Sequence, residues 1–261
     1  MKKVIVTGSF DALRSRHVRF LEEASKWGDV HVLLWSDEVA RTLEETAPQF
    51  PQAERLYMLQ AIRYVAHVSL VTRQLGRDVI PHSADVQPDI WAVDETSDSP
   101  EKRAYCKAHG LDYLVLREAD LLGFPVPQKD SSGETEPLPH KKVIVTGCFD
   151  WLHSGHIRFF EEASQLGDLY VAVGHDENIR LLKGAGHPMF SQDERVYMVQ
   201  AIRFVTRALV TSGRGWMDAA PEIAQLRPDI YVVNEDGDKP EKRRFCERHG
   251  LEYVVLKRTP K

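Results

Sequence analysis

The chain has 261 residues, 43% hydrophobic and 28% charged, with a formal net charge of −5. No apolar run approaches the ~20 residues that span a bilayer, so no membrane segment is expected, and an acidic balance without a Lys/Arg block excludes a nucleic-acid surface, which needs clustered cations. A small anionic ligand in one local pocket remains compatible.

The chain opens Met1-Lys2-Lys3 and continues with Val4-Ile5-Val6, an apolar run too short for a secretory signal, so a cytoplasmic location is expected. Three cysteines without a Cys-x-x-Cys pair predict neither a disulfide framework nor a zinc site. Cys106 and Cys246 hold equivalent places in the two halves and read as small buried packing residues. After Val6 comes Gly8-Ser9-Phe10-Asp11-Ala12-Leu13-Arg14-Ser15-Arg16-His17. The register returns 139 positions later as Gly147-Cys148-Phe149-Asp150-Trp151-Leu152-His153-Ser154-Gly155-His156.

Further pairs follow in order. Glu54-Arg55 matches Glu194-Arg195, Pro88-Asp89-Ile90 matches Pro228-Asp229-Ile230, and Pro100-Glu101-Lys102-Arg103 matches Pro240-Glu241-Lys242-Arg243. Such repetition predicts two units, 1–120 and 141–261, each of ordinary domain size. Residues 121–140 carry four prolines and a polar run from Gln128 to Thr135 without periodicity, which reads as a linker.

In the second half, a strand is expected near 142–146, followed by a turn and a helix with Ile157, Phe160, Ala163 and Leu166 at helical spacing. Gly167-Asp168 ends that helix and a strand covers 169–173. The glycine-rich stretch Lys183-Gly184-Ala185-Gly186 predicts a loop. Ser191-Gln192-Asp193-Glu194 has a capping-box pattern, opening a helix whose face carries Met198, Ala201, Ile202 and Val205. A strand over 208–211, a helix from about Trp216 to Leu226, a strand over 229–233, a helix from Pro240 to Gly250 and a strand over 253–256 complete the unit. Strands alternating with helices predict an α/β fold: two tandem Rossmann-like domains, each a five-stranded parallel sheet with helices on both faces and its ligand site at the carboxyl ends of the strands.

A strand leading into a Gly-led turn, with two histidines three residues apart at a helix start, can hold a polyphosphate. Backbone N–H groups, the positive helix end and both imidazoles converge on one spot. Gly-Cys-Phe-Asp-x-x-His-x-Gly-His, with Leu182-Lys183-Gly184, Glu194-Arg195 and Arg258-Thr259 following in order, resembles the cytidylyltransferase family of the nucleotidyltransferase superfamily. The resemblance covers 141–261 and, more weakly, 1–120. It implies transfer of a nucleotidyl group from CTP to a phosphorylated alcohol or sugar with release of pyrophosphate, magnesium accompanying the nucleotide. It leaves open an adenylyltransferase using ATP and a sugar phosphate, and a protein that binds a nucleotide or metabolite without turnover.

It also implies site roles. His153 and His156 would donate to phosphate oxygens, Lys183 would neutralise phosphates, and Arg195 would bind the triphosphate or the incoming phosphate. Thr146, Gly147, Cys148, Phe149, Asp150, Gly155, Asp236, Arg258 and Thr259 would surround the nucleotide, and Trp216 would face the second substrate. In the first half, Arg14 replaces the first histidine, Arg16 replaces the glycine, Glu44 stands in place of Lys183 and Thr96 in place of Asp236, while His17 and Arg55 survive. An acid in place of a cation reverses the local electrostatics, and an arginine at the glycine position is expected to fill the space that a nucleotide needs. The first half is therefore expected to be inactive and to serve as an intramolecular pseudo-subunit, with a homodimer of the whole chain also open.

Overall fold

The computed structural model describes residues 1–73, 76–81, 87–125 and 140–257. The chain divides into two compact units, Met1–Gly123 and Phe124–Lys261. Of the expected linker, Leu121 is buried in the first unit and 126–139 lie outside the described residues.

The first unit runs β1 (Lys3–Gly8), α1 (Ser15–Ser25), β2 (Asp29–Trp35), α2 (Asp37–Glu44), α3 (Gln52–Gln60), β3 (Val65–Val71), β4 (Ile90–Asp94), α4 (Pro100–His109) and β5 (Asp112–Leu116). The second runs β6 (Lys142–Gly147), α5 (Ser154–Ser164), β7 (Asp168–Val173), α6 (Asp176–Lys183), α7 (Gln192–Gln200), β8 (Arg207–Val210), α8 (Ala220–Leu226), β9 (Ile230–Asn234), α9 (Pro240–His249) and β10 (Glu252–Leu256). The sheets are β3-β2-β1-β4-β5 and β10-β9-β6-β7-β8, parallel throughout and of identical connectivity. This is the Rossmann-like α/β arrangement expected from the alternation of strands and helices.

Strands covered on both faces need no polar side, which is why β6 reads as an unbroken apolar run. Val143, Ile144 and Val145 are fully buried. Ile144 belongs to a core formed with Ala219 and Ile223 on the α8 side, Tyr231 and Val233 of β9, and Phe245 and Cys246 of α9. Ile157, Phe160 and Ala163 form the buried stripe of α5. Cys106 and Cys246 are both buried, and burial pushes their thiols up to about 11.

The sheet topology also creates the crevice. β6 pairs with β7 along its length, to Gly147↔Val173, but with β9 only at Val143↔Ile230 and Ile144↔Tyr231. Central strands therefore part toward their carboxyl ends where the strand order reverses, and this is the position at which such folds bind ligands. The first unit repeats the arrangement, with β1 and β4 pairing only at Val4↔Ile90 and Ile5↔Trp91.

Four local expectations are corrected. Lys183 is not in a loop but is the last residue of α6, an eight-residue helix missed between β7 and the glycines. Its signals are non-hydrophobic: the His175 side chain caps its start, Asp176 and Glu177 occupy the first turn, and Arg180 and Lys183 the last, all favourable to the helix dipole. α7 stops at Gln200, so Ala201 caps it while Ile202 and Val205 lie beyond it. The stretch from Trp216 to Leu226 divides into a 3-10 turn over Gly215–Met217 and then α8. β8 and β9 begin at Arg207 and Ile230, each one residue from the expected start.

Gly167 joins α5 to β7 at φ +153°, and a Cβ there would lie 2.0 Å from the Lys141 carbonyl oxygen. Gly28 repeats this in the first unit, at 2.1 Å from the Lys2 oxygen. Gly167→Ala is expected to cost on the order of 2–3 kcal/mol of stability, measured as a lower urea midpoint, because the clash is with backbone that side-chain motion cannot relieve.

Candidate active site

The turn after β6 is built around Phe149, held at φ +51°, a costly conformation for an aromatic residue. It folds the ring back over the strand end, so a Cβ on Gly147 would meet the ring at 2.8 Å. The buried ring packs edge-on against Phe160, centroids 5.1 Å apart, and against His156 at 5.3 Å. Phe149 thus supports His156 from behind.

His153 is the N-cap of α5, its Nδ1 accepting the Gly155 N–H at 3.1 Å. A nitrogen that accepts is bare, so the ring proton sits on Nε2 and can be donated. The His153 and His156 rings lie 4.0 Å apart, tilted by 32°. A Cβ on Gly155 would fall 2.9 Å from His153 Cε1. That glycine makes room for the histidine ring, as well as leaving the helix start open to a ligand.

Asp150 is buried and does not order its own turn. Its Oδ1 accepts the N–H groups of Met189 (2.7 Å) and Phe190 (3.1 Å), and Oδ2 lies 3.2 Å from His187 Nδ1. Burial pushes its carboxyl up, but the two amides, His187 and Arg195 outweigh this and hold it below the ordinary value. Arg195 is 1% exposed. Its Nε donates to the Phe190 carbonyl (3.0 Å), Nη1 to the Cys148 carbonyl (2.6 Å) and Nη2 to Asp176 Oδ1 (2.8 Å). All three nitrogens are engaged by protein, so Arg195 ties the turn after β6 to the start of α6 and the loop before α7. Lys183, by contrast, is exposed at the end of α6.

Beyond β8, residues 211–218 are held by a buried polar cluster. Asn178, 1% exposed, clasps Gly215 both ways: Oδ1 accepts its N–H (2.7 Å) and Nδ2 donates to its carbonyl (3.1 Å). Asp218 Oδ2 accepts from Asn178 Nδ2 (3.0 Å) and Thr211 Oγ1 (2.8 Å), and His175 Nε2 lies 2.8 Å from the Gly213 carbonyl. This clamp displays Trp216, 58% exposed, with Lys239 Nζ 4.9 Å from its ring centroid. Cation–π contact of this kind leaves an aromatic plate and a cation together on the surface.

Thr146 Oγ1 lies 2.7 Å from Tyr231 Oη, bridging the parting strands β6 and β9. Asp236 is exposed in the turn after β9. Arg258 and Thr259 lie outside the described residues. Three residues here escaped the reading of the sequence. Asn178 and Asp218 are polar positions whose partners are distant in the chain, and Gly174 directly follows β7, where a Cβ would meet Ile179 at 2.7 Å and Asp218 at 3.3 Å.

The first unit keeps the framework and changes the lining. Asp11 accepts from Gln49 and Phe50 N–H as Asp150 does from Met189 and Phe190, and Arg55 repeats Arg195 by bonding Phe50, Ser9 and Asp37. Arg16 does not fill the cleft. Its guanidinium is drawn to Glu118 at 2.6 Å, and a cavity of about 450 Å³ remains, lined in part by Arg16, His17, Trp35, Glu44 and Lys102. Burial pushes the His17 imidazole below its ordinary value, and its Nδ1 accepts the Arg14 N–H.

A helix start carrying paired imidazoles at the switch point of a 3-2-1-4-5 parallel sheet is the place where α/β folds of this order bind ligands. The chain belongs to the cytidylyltransferase-like family, whose model matches residues 5–129 and 144–255. It is 37% identical over 121 residues to an FAD synthase of Methanopyrus kandleri, covering 44% of this chain and 77% of that protein. It is 40% identical over 132 residues to the bifunctional protein HldE of Desulfatibacillum aliphaticivorans, covering 50% of this chain but only 26% of that protein. A lipopolysaccharide core biosynthesis protein from Thermoplasma volcanium, of known structure, is 25% identical with a TM-score of 0.40, covering 47% of this chain and 98% of that one. The protein is a nucleotidyltransferase, and no helix among the described residues is long and apolar enough to cross a membrane.

The Asp150 clamp gives a pH-dependent prediction. A carboxyl held below its unfolded value stabilises the fold above that value and loses the contribution as pH falls through the lower, folded one. Asp150→Asn is expected to lower stability by about 1–2 kcal/mol at pH 7. In urea titrations the gap from the unaltered protein should narrow as pH drops below 3.8, the ordinary value for this group.

Proposed function

We propose that the second unit transfers an adenylyl group from ATP to a small phosphorylated acceptor and releases pyrophosphate. The observation that carries the transfer is the pair of imidazoles 4.0 Å apart at the start of α5, with His153 Nδ1 accepting the Gly155 N–H. The choice of adenine rests on the relatives. FAD contains an adenylyl group, and a protein named for making it is 37% identical over 121 residues, 44% of this chain. A second reading, CTP as donor, is favoured by the family's own description as cytidylyltransferase-like.

The acceptor's phosphate oxygen attacks the α-phosphorus, forming one P–O bond as the bond to the leaving pyrophosphate breaks. A phosphate anion needs no protein base, so the site's work is alignment and stabilisation of charge growing on the transferring and leaving phosphates. His153 and His156 donate to those oxygens, the α5 N-terminus adds its backbone N–H groups, and Lys183 supplies an exposed cation at the rim. Arg195 and Asp150 act behind them by fixing the turn and the loop that form the walls. Thr146, Gly147 and Cys148 frame the strand end, and Trp216 with Lys239 offers a surface for the acceptor.

Magnesium, when it arrives with the triphosphate, neutralises phosphate charge. The ion would be held chiefly by phosphate oxygens and water, with the exposed Asp236 after β9 as the candidate acidic residue.

The test is pyrophosphate release with ATP and CTP side by side, across glycerol 3-phosphate, ethanolamine phosphate and sugar phosphates. His156→Ala is expected to reduce kcat on the order of 10²-fold, as removal of one transition-state donor does elsewhere. His17→Ala, in the first unit, should leave turnover unchanged. Equal kcat in His156→Ala and unaltered protein rejects the assignment.

A further inference from the structure

Lys242, in the first turn of α9, is a buried cation for which the reaction just described has no use. The residue is 8% exposed. Its ammonium lies 5.7 Å from the centroid of the Tyr231 ring and makes no hydrogen bond or ion pair among the described residues. Burial holds it below its ordinary value, with Asp218 opposing that effect and Lys239 adding to it.

The duplicated unit shows what a structural lysine in this position does. Lys102, its counterpart, also lies over an aromatic ring, Trp91 at 5.9 Å, but Nζ donates to the Ser97 carbonyl at 2.5 Å and stands 3.7 Å from Asp78. In the second unit Gly237 replaces Ser97, and a Cβ on it would be 3.9 Å from Lys242 Nζ. Asp218 stands at the place of Asp78, but its Oδ2 accepts from Thr211 and Asn178 and it makes no ion pair with Lys242 among the described residues. The first unit has Val71 and Val39 at those two places, leaving Asp78 to Ser99 and Lys102. Gly237 keeps the carbonyl that Ser97 has, yet among the described residues Lys242 makes neither the carbonyl bond nor the ion pair of its counterpart, while holding the same place over an aromatic ring.

The stem of Lys242 is buried while its ammonium, which no protein group accepts from among the described residues, keeps its N–H donors available to water or to an anionic ligand. Lys102 and His17 line the same cavity of the first unit. Both sheets have the same strand order, and Lys242 and His156 occupy on the second the positions that Lys102 and His17 hold on the first. We infer that Lys242 is a phosphate-binding residue of the second unit, reaching the cleft from the β9 side opposite the paired histidines. This rests on the reading of the cleft as a phosphate-handling site and adds a contact to it. The phosphoryl group belongs either to the nucleotide's polyphosphate or to the acceptor.

The test is calorimetric titration of the full chain with ATP, CTP, inorganic pyrophosphate, glycerol 3-phosphate and inorganic phosphate, for unaltered protein and for Lys242→Gln, Lys242→Arg and Lys102→Gln. Lys242→Gln should weaken at least one probe roughly ten- to a hundredfold, the range of a charge-assisted hydrogen bond. Lys242→Arg should recover part of the loss, and Lys102→Gln should leave these affinities within twofold. Loss confined to ATP, CTP and pyrophosphate assigns the lysine to the polyphosphate; loss confined to the other two assigns it to the acceptor.

Unchanged affinities in Lys242→Gln, equal losses in Lys102→Gln, or no binding of any probe by the unaltered protein overturn the inference. Phosphate binding without pyrophosphate release defeats the transferase reading and leaves this one standing. If Lys242→Gln does not fold, acetic anhydride footprinting of the unaltered protein decides. Protection of Lys242 by saturating pyrophosphate or glycerol 3-phosphate supports the inference, and equal modification with and without them overturns it.

Discussion

Everything at the mouth of the second unit depends on one buried guanidinium. Arg195 has almost no access to solvent, yet it joins three chain segments that local structure alone would leave independent: the turn after β6, the start of α6 and the loop before α7. Asp150 crosses it, reaching from the first of these segments to the third. Fixed donors and acceptors of this kind give a site its geometry before any ligand arrives, which is how electrostatic stabilisation avoids reorganisation during reaction. Both clamps recur in the first unit as Arg55 and Asp11. They belong to the scaffold, since they persist where the residues lining the cleft differ.

The two units therefore separate what folding needs from what a phosphate needs. Strand order, parting central strands, crossed clamps and the glycine between first helix and second strand are common to both. The differences concentrate on the lining. Arg14 and Arg16 replace a histidine and the glycine that accommodates its ring, so the two positions change together for a steric reason. Val39 and Val71 stand where a polar pair secures the loop that carries Trp216. The first unit keeps a cavity, but one lined by the indole of Trp35 and the carboxylate of Glu44 where the second has Gly174 and Lys183.

Much of this was legible in the sequence because its signals are local. Alternating strand and helix patterns, the Gly-led turn and the spacing of His153 and His156 lie within short windows, and Pro240 and Gly250 mark α9 by backbone chemistry alone. α6 was missed because it is short and its start is marked by a histidine cap in place of the commoner serine or aspartate. Arg195 was legible as a position but not as a pin, since its acceptors lie 5, 19 and 47 residues away. Asn178, Asp218 and Lys242 share that difficulty: each takes its meaning from residues that only the folded chain brings near. Trp216, an aromatic residue opening an expected helix, proved to be surface, held out by a turn that Asn178 locks.

Gly174 has a consequence for how reversible the divergence is. The first unit carries Trp35 there, and in the second the corresponding Cβ position is already crowded by Ile179 and Asp218. An exchange in either direction fails alone, because the indole has no room in one context and its removal leaves a void in the other. Transplanting the histidine motif into the amino-terminal half would not by itself reproduce the second unit's lining, since Trp35 and Glu44 would still stand where the second unit has Gly174 and Lys183. The same architecture thus holds two linings, each fitted to its own neighbours at this position.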